Sequence, residues 1–157
     1  MKKTVYIESS VVSYYTARAS RDIIVAAHQQ CTAEWWEKVL PRLEAFVSPV
    51  VLEEISRGDA VAAVKRQDVV KDFSSLEVYE EVIDLAEEYF EAMDIPDKAK
   101  ADAYHLALAT LHGMDYMVTW NCSHIASGRV RRIVDEINVI HRMRSPVICT
   151  PEELMEV

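Results

Sequence analysis

The chain has 157 residues, half of them hydrophobic, with only three glycines and five prolines. This predicts one domain over residues 1–157 with enough apolar side chain for a core, and it excludes a disordered or collagen-like chain. The net charge of −9 argues against a surface that is basic throughout and made for nucleic acid. Residues 77–97 hold nine acids and no Lys or Arg, so this one window carries the whole net charge. Arg129, Arg131, Arg132, Arg142 and Arg144 crowd a later stretch. Such asymmetry leaves room for a local basic surface, although two solvated helix faces of opposite sign account for it equally well. No run approaches the roughly 20 apolar residues of a membrane span. Glu8 interrupts the amino-terminal segment before a signal-peptide core develops. Cys31, Cys122 and Cys149 form no Cys-x-x-Cys and suit a reducing compartment, so a cytoplasmic protein is expected.

In chain order, the β-branched and aromatic run Thr4, Val5, Tyr6 and Ile7 predicts a first strand, which Glu8, Ser9 and Ser10 break. Residues 11–15 predict a short helical turn. Ser20 and Asp22 offer caps for a long helix ending before Pro41, with an apolar stripe through Ile24, Ala27, Cys31 and Trp35, and Trp36 beside it. Residues 45–47 predict a second strand. Ser48 caps a helix with Pro49 at its first position; this helix carries Glu53 and Glu54 and stops at Gly58. Asp59 caps another that reaches about Phe73, and Leu76, Glu77 and Val78 read as a short strand. In the acidic window Val82, Ala86, Tyr89, Phe90 and Met93 fall at helical spacing, which leaves the acids on the opposite, solvated face. Pro96 and Asp97 reset the chain before an alanine-rich helix over residues 98–112, closed by Gly113. Residues 116–119 form the strongest strand signal. A helix over residues 129–141, a last strand over residues 147–149 and a capping box from Thr150 to Glu153 complete the chain. Alternating strands and helices predict an α/β fold: a central, mostly parallel sheet with helices on both faces, in three α/β/α layers.

Ligands of open parallel sheets bind beyond the carboxyl ends of the strands. Glu8 follows the first strand, and Asn121 comes just after the strand ending at Thr119. Glu54 and Asp102 lie inside mostly apolar helical stretches, where a carboxylate is costly to bury alone and makes sense facing a cation. Oxygen donors of this kind suit Mg²⁺ or Mn²⁺. Such an ion lowers the pKa of bound water, orients it, and neutralises charge on a phosphodiester. Plainer readings stand beside this one. Glu54 reads equally as a solvated helix residue like Glu53, and Asp102 as an acid favoured by the helix dipole. His105 reads as a core or surface histidine, whereas His124 borders the cleft. Cys122, His124 and Cys149 match no compact zinc spacing. Lys98, Lys100, Arg129, Arg131 and Arg132 are candidates for RNA phosphates. Tyr14, Tyr15, Trp35 and Trp36 offer rings for base stacking but fit packing or a dimer contact better.

The run Val5-Tyr6-Ile7-Glu8-Ser9-Ser10-Val11-Val12 resembles the first motif of PIN-domain nucleases, a strand that ends in an acid followed by Ser or Thr. Ser48-Pro49-Val50-Val51-Leu52-Glu53-Glu54-Ile55 is similar to the second, a glutamate on a helix just after a strand. Asp102-Ala103-Tyr104-His105-Leu106-Ala107-Leu108-Ala109 resembles the third, an Asp opening an Ala-rich helix. Gly113-Met114-Asp115-Tyr116-Met117-Val118-Thr119-Trp120-Asn121 resembles the fourth, a strand ending in Thr-x-Asp. The four occur in order over nearly the whole chain, and the nearest group is the VapC-like toxins of toxin–antitoxin systems. The resemblance implies a PIN-like fold and an Mg²⁺- or Mn²⁺-dependent endoribonuclease that leaves 5′-phosphate and 3′-hydroxyl ends. It assigns metal ligation and catalysis to Glu8, Glu54, Asp102 and Asn121, with Thr119 in support; Ser10 and His124 are further supporting candidates from their places beside Glu8 and Asn121. It also implies a homodimer and, for a toxin, a small antitoxin protein that blocks the site.

Two positions depart from the family pattern. Glu8 replaces the usual Asp and moves the carboxylate outward by one C–C bond, roughly 1.5 Å. Asn121 replaces an Asp; it keeps a carbonyl oxygen but removes one negative charge and cannot act as a general base. These changes weaken metal affinity, above all for a second ion. They leave open a catalytically weakened module that keeps the fold and binds RNA or a protein without cutting. A phosphatase-like hydrolase would need Asp-x-Asp after the first strand, where Glu8-Ser9-Ser10 stands.

Overall fold

A computed structural model describes residues 1–157. Its five strands are β1 (Thr4–Ile7), β2 (Glu44–Val47), β3 (Ser74–Ser75), β4 (Tyr116–Val118) and β5 (Val147–Cys149). All pair in parallel, in the order β3-β2-β1-β4-β5. The helices are α1 (Ser9–Thr16), α2 (Ile23–Lys38), α3 (Pro49–Ile55), α4 (Ala60–Val70), α5 (Glu80–Met93), α6 (Lys100–Leu111) and α7 (Gly128–Ile140). Together they make the expected three-layer α/β/α arrangement. No helix is long and apolar enough to cross a membrane.

Strand β1 is central: Val5 pairs with Ala45 on one side and with Tyr116 on the other. Val5, Tyr6 and Ile7 are fully buried, which explains a continuous apolar run instead of an alternating one. The chain moves outward from β1 to β2 and β3, then returns and moves the other way through β4 and β5. The strand order therefore reverses at β1, where diverging crossovers leave a crevice at the carboxyl edge. Glu8, Ser48 and Thr119 emerge there, one residue past β1, β2 and β4.

Most predicted elements form, with four differences. Helix α1 is longer than the predicted turn because Glu8 caps it, accepting from the Ser10 N–H. Strand β3 occupies Ser74–Ser75, ahead of the predicted residues 76–78. Phe46 and Val47 pair with Ser74 and Ser75, and β2 then turns into α3, so only the Leu76 N–H still finds a partner, the Val47 carbonyl. The stripe predicted on α2 holds at Trp35 but fails at Ile24, which is 64% exposed, and at Ala27. A 16-residue helix spans roughly 24 Å, whereas a four-residue strand rises roughly 13 Å, so the first turns of α2 overhang the core. Helix α6 starts at Lys100, after a 3-10 turn over Asp97–Ala99.

The acidic helix behaves as its spacing predicts. Val82, Leu85, Ala86, Tyr89 and Met93 of α5 are buried, and its acids face outward. The Tyr89 hydroxyl donates to Asn138 and lies 3.2 Å from the Thr110 hydroxyl, and burial pushes its phenol up to about 12. The alanines of α6 (Ala103, Ala107, Ala109) are fully buried and let α5 pack close. The capping box is present as read: the Thr150 N–H donates to Glu153 Oε1 at 3.0 Å, and the Glu153 N–H returns to Thr150 Oγ1 at 3.3 Å.

Asp115 pins the start of the β1–β4 pair. Its Oδ2 accepts from the Thr4 N–H at 2.9 Å and from Thr4 Oγ1 at 3.2 Å, and its own N–H donates to Thr4 Oγ1 at 3.0 Å. The Thr4 amide, acting against partial burial, holds this carboxyl below its ordinary value, with help from the Thr4 hydroxyl, Lys3 and Arg144. A depressed carboxyl stabilises the fold above its unfolded pKa, near ~3.9, and the contribution is lost as pH falls through the folded value. Because 21% of the side chain is exposed, Asp115→Ala is expected to cost about 1 kcal/mol at neutral pH. The gap to wild type should narrow below about pH 4. Urea unfolding at neutral and acid pH measures both, and a gap that widens in acid removes this role from Asp115.

Candidate metal centre at the carboxyl edge

Glu8 is 5% exposed and leaves β1 pointing into the crevice. Its Oε1 accepts from Ser10 Oγ and Thr119 Oγ1, each at 2.5 Å, and its Oε2 accepts from the Ser10 N–H at 3.2 Å. The Ser10 hydroxyl in turn accepts the Trp120 N–H at 2.8 Å, and Thr119 Oγ1 accepts the Asn121 N–H at 2.9 Å. The first turn of α1 and the exit of β4 are thus fastened together around one carboxylate. Ser10 and Thr119, both read from sequence as supporting candidates, each donate to Glu8.

Glu54 lies in the last turn of α3, whose amino end is set by Ser48 as cap and Pro49 at the first position. Its Oε1 accepts from Ser9 Oγ and from His105 Nε2, each at 2.6 Å. Glu53, by contrast, is exposed and pairs with Arg57. Burial alone would raise the Glu54 pKa; the His105 hydrogen bond and charge, then Ser9 and Arg57, outweigh it and bring it below the usual value. His105 shows the complementary balance: burial pulls it down, and Glu54, Glu8 and Asp102 raise it above its ordinary value.

Asp102 is 9% exposed and lies in the first turn of α6, where the helix dipole favours a carboxylate. His124 Nδ1 donates to its Oδ2 at 3.0 Å. Asn121 reaches the same histidine from the other side: its Oδ1 accepts the His124 N–H at 2.9 Å, and its backbone carbonyl accepts the N–H groups of Ile125 and Ala126. Asn121 therefore builds the turn leading to α7. A closed circuit of hydrogen bonds and short chain links runs through Glu8, Thr119, Asn121, His124, Asp102, His105, Glu54 and Ser9.

The ligand atoms of Glu8, Glu54 and His105 all lie within 4.8 Å of one another. Glu54 Oε2 and Asp102 Oδ1 accept nothing from the protein and are not sealed from solvent. Carboxylate oxygens opening on one crevice are donors that fit a hard divalent cation. The Asn121 carbonyl oxygen is committed to the turn and fits less well. His105 is the residue that the sequence reading passed over. Its spacing of three from Asp102 was visible, but nothing local told that it would be fully buried against Glu54.

The candidate RNA-binding cations are placed unevenly. Lys98, Arg129 and Arg132 are exposed, the last beside Glu136. Lys100 pairs with Glu87 at 2.5 Å, and Arg131 donates to the Ile148 carbonyl and to Glu153. Trp35 is buried, Trp36 stacks on Tyr15 at 4.4 Å, and Tyr14 packs with His28 and Trp120. These contacts support the packing reading of the aromatic residues.

A family model described as PIN domain matches residues 5–121, a span that contains all four carboxyl-edge motifs. The chain belongs to the PIN domain family. Among solved structures, FitAcB from Neisseria gonorrhoeae superposes on this PIN domain with a TM-score of 0.57 at 12% identity. The match covers 96% of this chain and all of that one; at such identity it speaks for the fold alone. No curated protein sequence matches the chain significantly.

Thr119 is fully buried, so Thr119→Val keeps its shape while stripping Glu8 of a donor and leaving the Asn121 N–H without its acceptor. The expected cost is about 2 kcal/mol, read by chemical unfolding of the metal-free protein. An unchanged midpoint would show that the hydroxyl is dispensable to this edge.

Proposed function

We propose that this PIN domain is a metal-dependent endoribonuclease of the VapC-like toxin type, hydrolysing RNA phosphodiester bonds with Mg²⁺ or Mn²⁺ in the cytoplasm. The observation that supports the reading is the cluster of Glu8, Glu54 and His105 donor atoms within 4.8 Å of one another at the switch point of a PIN-family sheet, with Asp102 three residues before His105 on α6. A bound divalent cation supplies a water of lowered pKa and neutralises charge at the scissile phosphate. The chain's part is to bind and orient. Glu8, Glu54 and Asp102 present carboxylate oxygens to the ion. Ser9, Ser10, Thr119, His105 and His124 hold those carboxylates against rotation, and Asn121 shapes the cleft wall. Lys98 and Arg129 are exposed candidates to meet RNA phosphates, and Arg132 is a third that is paired with Glu136. A second copy of the chain and an antitoxin belong to the same reading. Ile23 and Ile24 on α2 and Val61 and Val64 on α4 are exposed and supply apolar surface for a protein partner.

A second reading has one observation in its favour. The Asn121 oxygen is occupied by the His124 N–H, so the centre has lost a charge without a substitute. A module that binds RNA or a protein without cutting would result.

Incubating a mixed RNA pool with the purified protein in Mn²⁺, Mg²⁺ or EDTA separates the two. Cleavage is expected with either metal and not with EDTA. Asp102→Asn should lower it by about 100-fold or more, on the scale of losing one preorganised electrostatic group, with the melting temperature nearly unchanged. A mutant that fails to fold would withdraw Asp102 from the site. An inert wild type that binds no Mn²⁺ in calorimetry would favour the second reading.

Asn121→Asp keeps an acceptor for the His124 N–H and adds one negative charge beside the site. Mn²⁺ should bind it several-fold more tightly than wild type by calorimetry. Equal affinity would mean that position 121 faces the turn and not the ion.

A further inference from the structure

Glu54 is fastened by a buried chain of polar groups that begins and ends on its own helix. Ser48 Oγ caps α3 by accepting the Val51 N–H at 3.3 Å, and it lies 2.8 Å from the Tyr6 hydroxyl. That hydroxyl lies 2.6 Å from His105 Nδ1, and His105 Nε2 reaches Glu54 Oε1 at 2.6 Å. Ser48, Tyr6 and His105 are each completely buried. The chain thus crosses from the start of α3 through β1 and α6 back to the last turn of α3.

A carboxylate only accepts, so His105 must present an N–H at Nε2. In a neutral ring Tyr6 donates to Nδ1, and in a charged ring Nδ1 donates to Tyr6. Glu54 receives the same bond in either case. Ser9 supplies a second donor to the same oxygen. Both donors therefore converge on Oε1, and Oε2 is left without a protein partner. Free glutamate samples many rotamers, and fixing one costs roughly 1.5–2 kcal/mol of side-chain entropy. Apolar side chains would fill this part of the core without three buried polar groups to satisfy.

We infer that His105, locked by Tyr6 and Ser48, is a positioning residue that aims Glu54 Oε2 into the crevice as a preformed metal donor. The inference rests on the reading of Glu54 as a metal ligand and adds the device that orients it. Partners of this kind hold a ligand ready before the ion arrives and typically change metal affinity roughly 10–100-fold when removed.

The test compares full-length wild type with H105L, H105Q and Y6F by Mn²⁺ calorimetry, thermal melting and crystallography of the metal-free proteins. H105L should weaken Mn²⁺ binding by roughly 10–100-fold and leave the Glu54 carboxylate disordered or turned from its wild-type rotamer. H105Q, which restores an N–H donor, should recover most of both. Y6F removes only the hydroxyl that locks the ring and should give a smaller loss; it decides the matter if H105L does not fold. Folded H105L or Y6F with wild-type Mn²⁺ affinity and an unmoved Glu54 overturns the proposal. If wild type itself binds no Mn²⁺, the metal-site reading fails. The Glu54 rotamer in the variants then still reports on positioning, and a carboxylate that does not move overturns it.

Discussion

Three carboxylates collected at one sheet edge repel one another, and much of the local structure exists to hold them there. Two unit charges 4.8 Å apart, the outer limit for the Glu8 and Glu54 donor atoms, repel by about 3 kcal/mol at an effective dielectric near 20. Two histidines and three hydroxyls meet that repulsion. His105 serves Glu54, His124 serves Asp102, and Ser9, Ser10 and Thr119 donate to Glu54 and Glu8. Each donor comes from a different segment from its acceptor, except for Ser10, so the carboxylates also tie the segments together. Removing a donor therefore loosens both the charge cluster and the junction it spans.

The sheet makes the gathering possible. Parallel strands all point their carboxyl ends the same way, and reversal of the strand order at β1 keeps the crossovers apart above that edge. Short links then place the side chains. One residue separates β1 from α1 and β2 from α3, so Glu8 and the cap Ser48 have little freedom. Helix α6 contributes twice, with Asp102 in its first turn and His105 three residues on, inside a helix buried on nearly every side. Its small side chains let it sit close enough for both to reach the edge.

The acidity of the chain is a separate matter from the acidity of the site. The nine acids of residues 77–97 cluster on and around α5, whose buried face packs on α6 and whose charged face meets solvent. Two of them find partners outside the helix: Glu87 holds Lys100, and Glu88 meets the His141 ring. Lys100 is thereby engaged, whereas Lys98 and Arg129 stay exposed and Arg132 is exposed beside Glu136.

The order of elements and the parallel sheet were written in local sequence, which also offered Glu8, Glu54, Asp102 and Asn121 as candidates. Caps, prolines, apolar periods and single acids inside apolar runs act over a few residues and can be read there. The overhang of α2 and the early start of β3 depended on what lay alongside, since burial and strand pairing are set by neighbours distant in the chain. The same holds for His105. Its partners Tyr6 and Glu54 come from β1 and α3, 99 and 51 residues away, and only the fold brings them within hydrogen-bond reach. Likewise Asn121 reads from sequence as a fourth acid replaced, whereas the structure gives its oxygen to the His124 amide. Residue type determined which groups were available to this edge; tertiary packing decided which of them keep an oxygen without a protein partner and which hold the others in place, because hydrogen bonds act over about 3 Å and sequence separation says nothing about that distance.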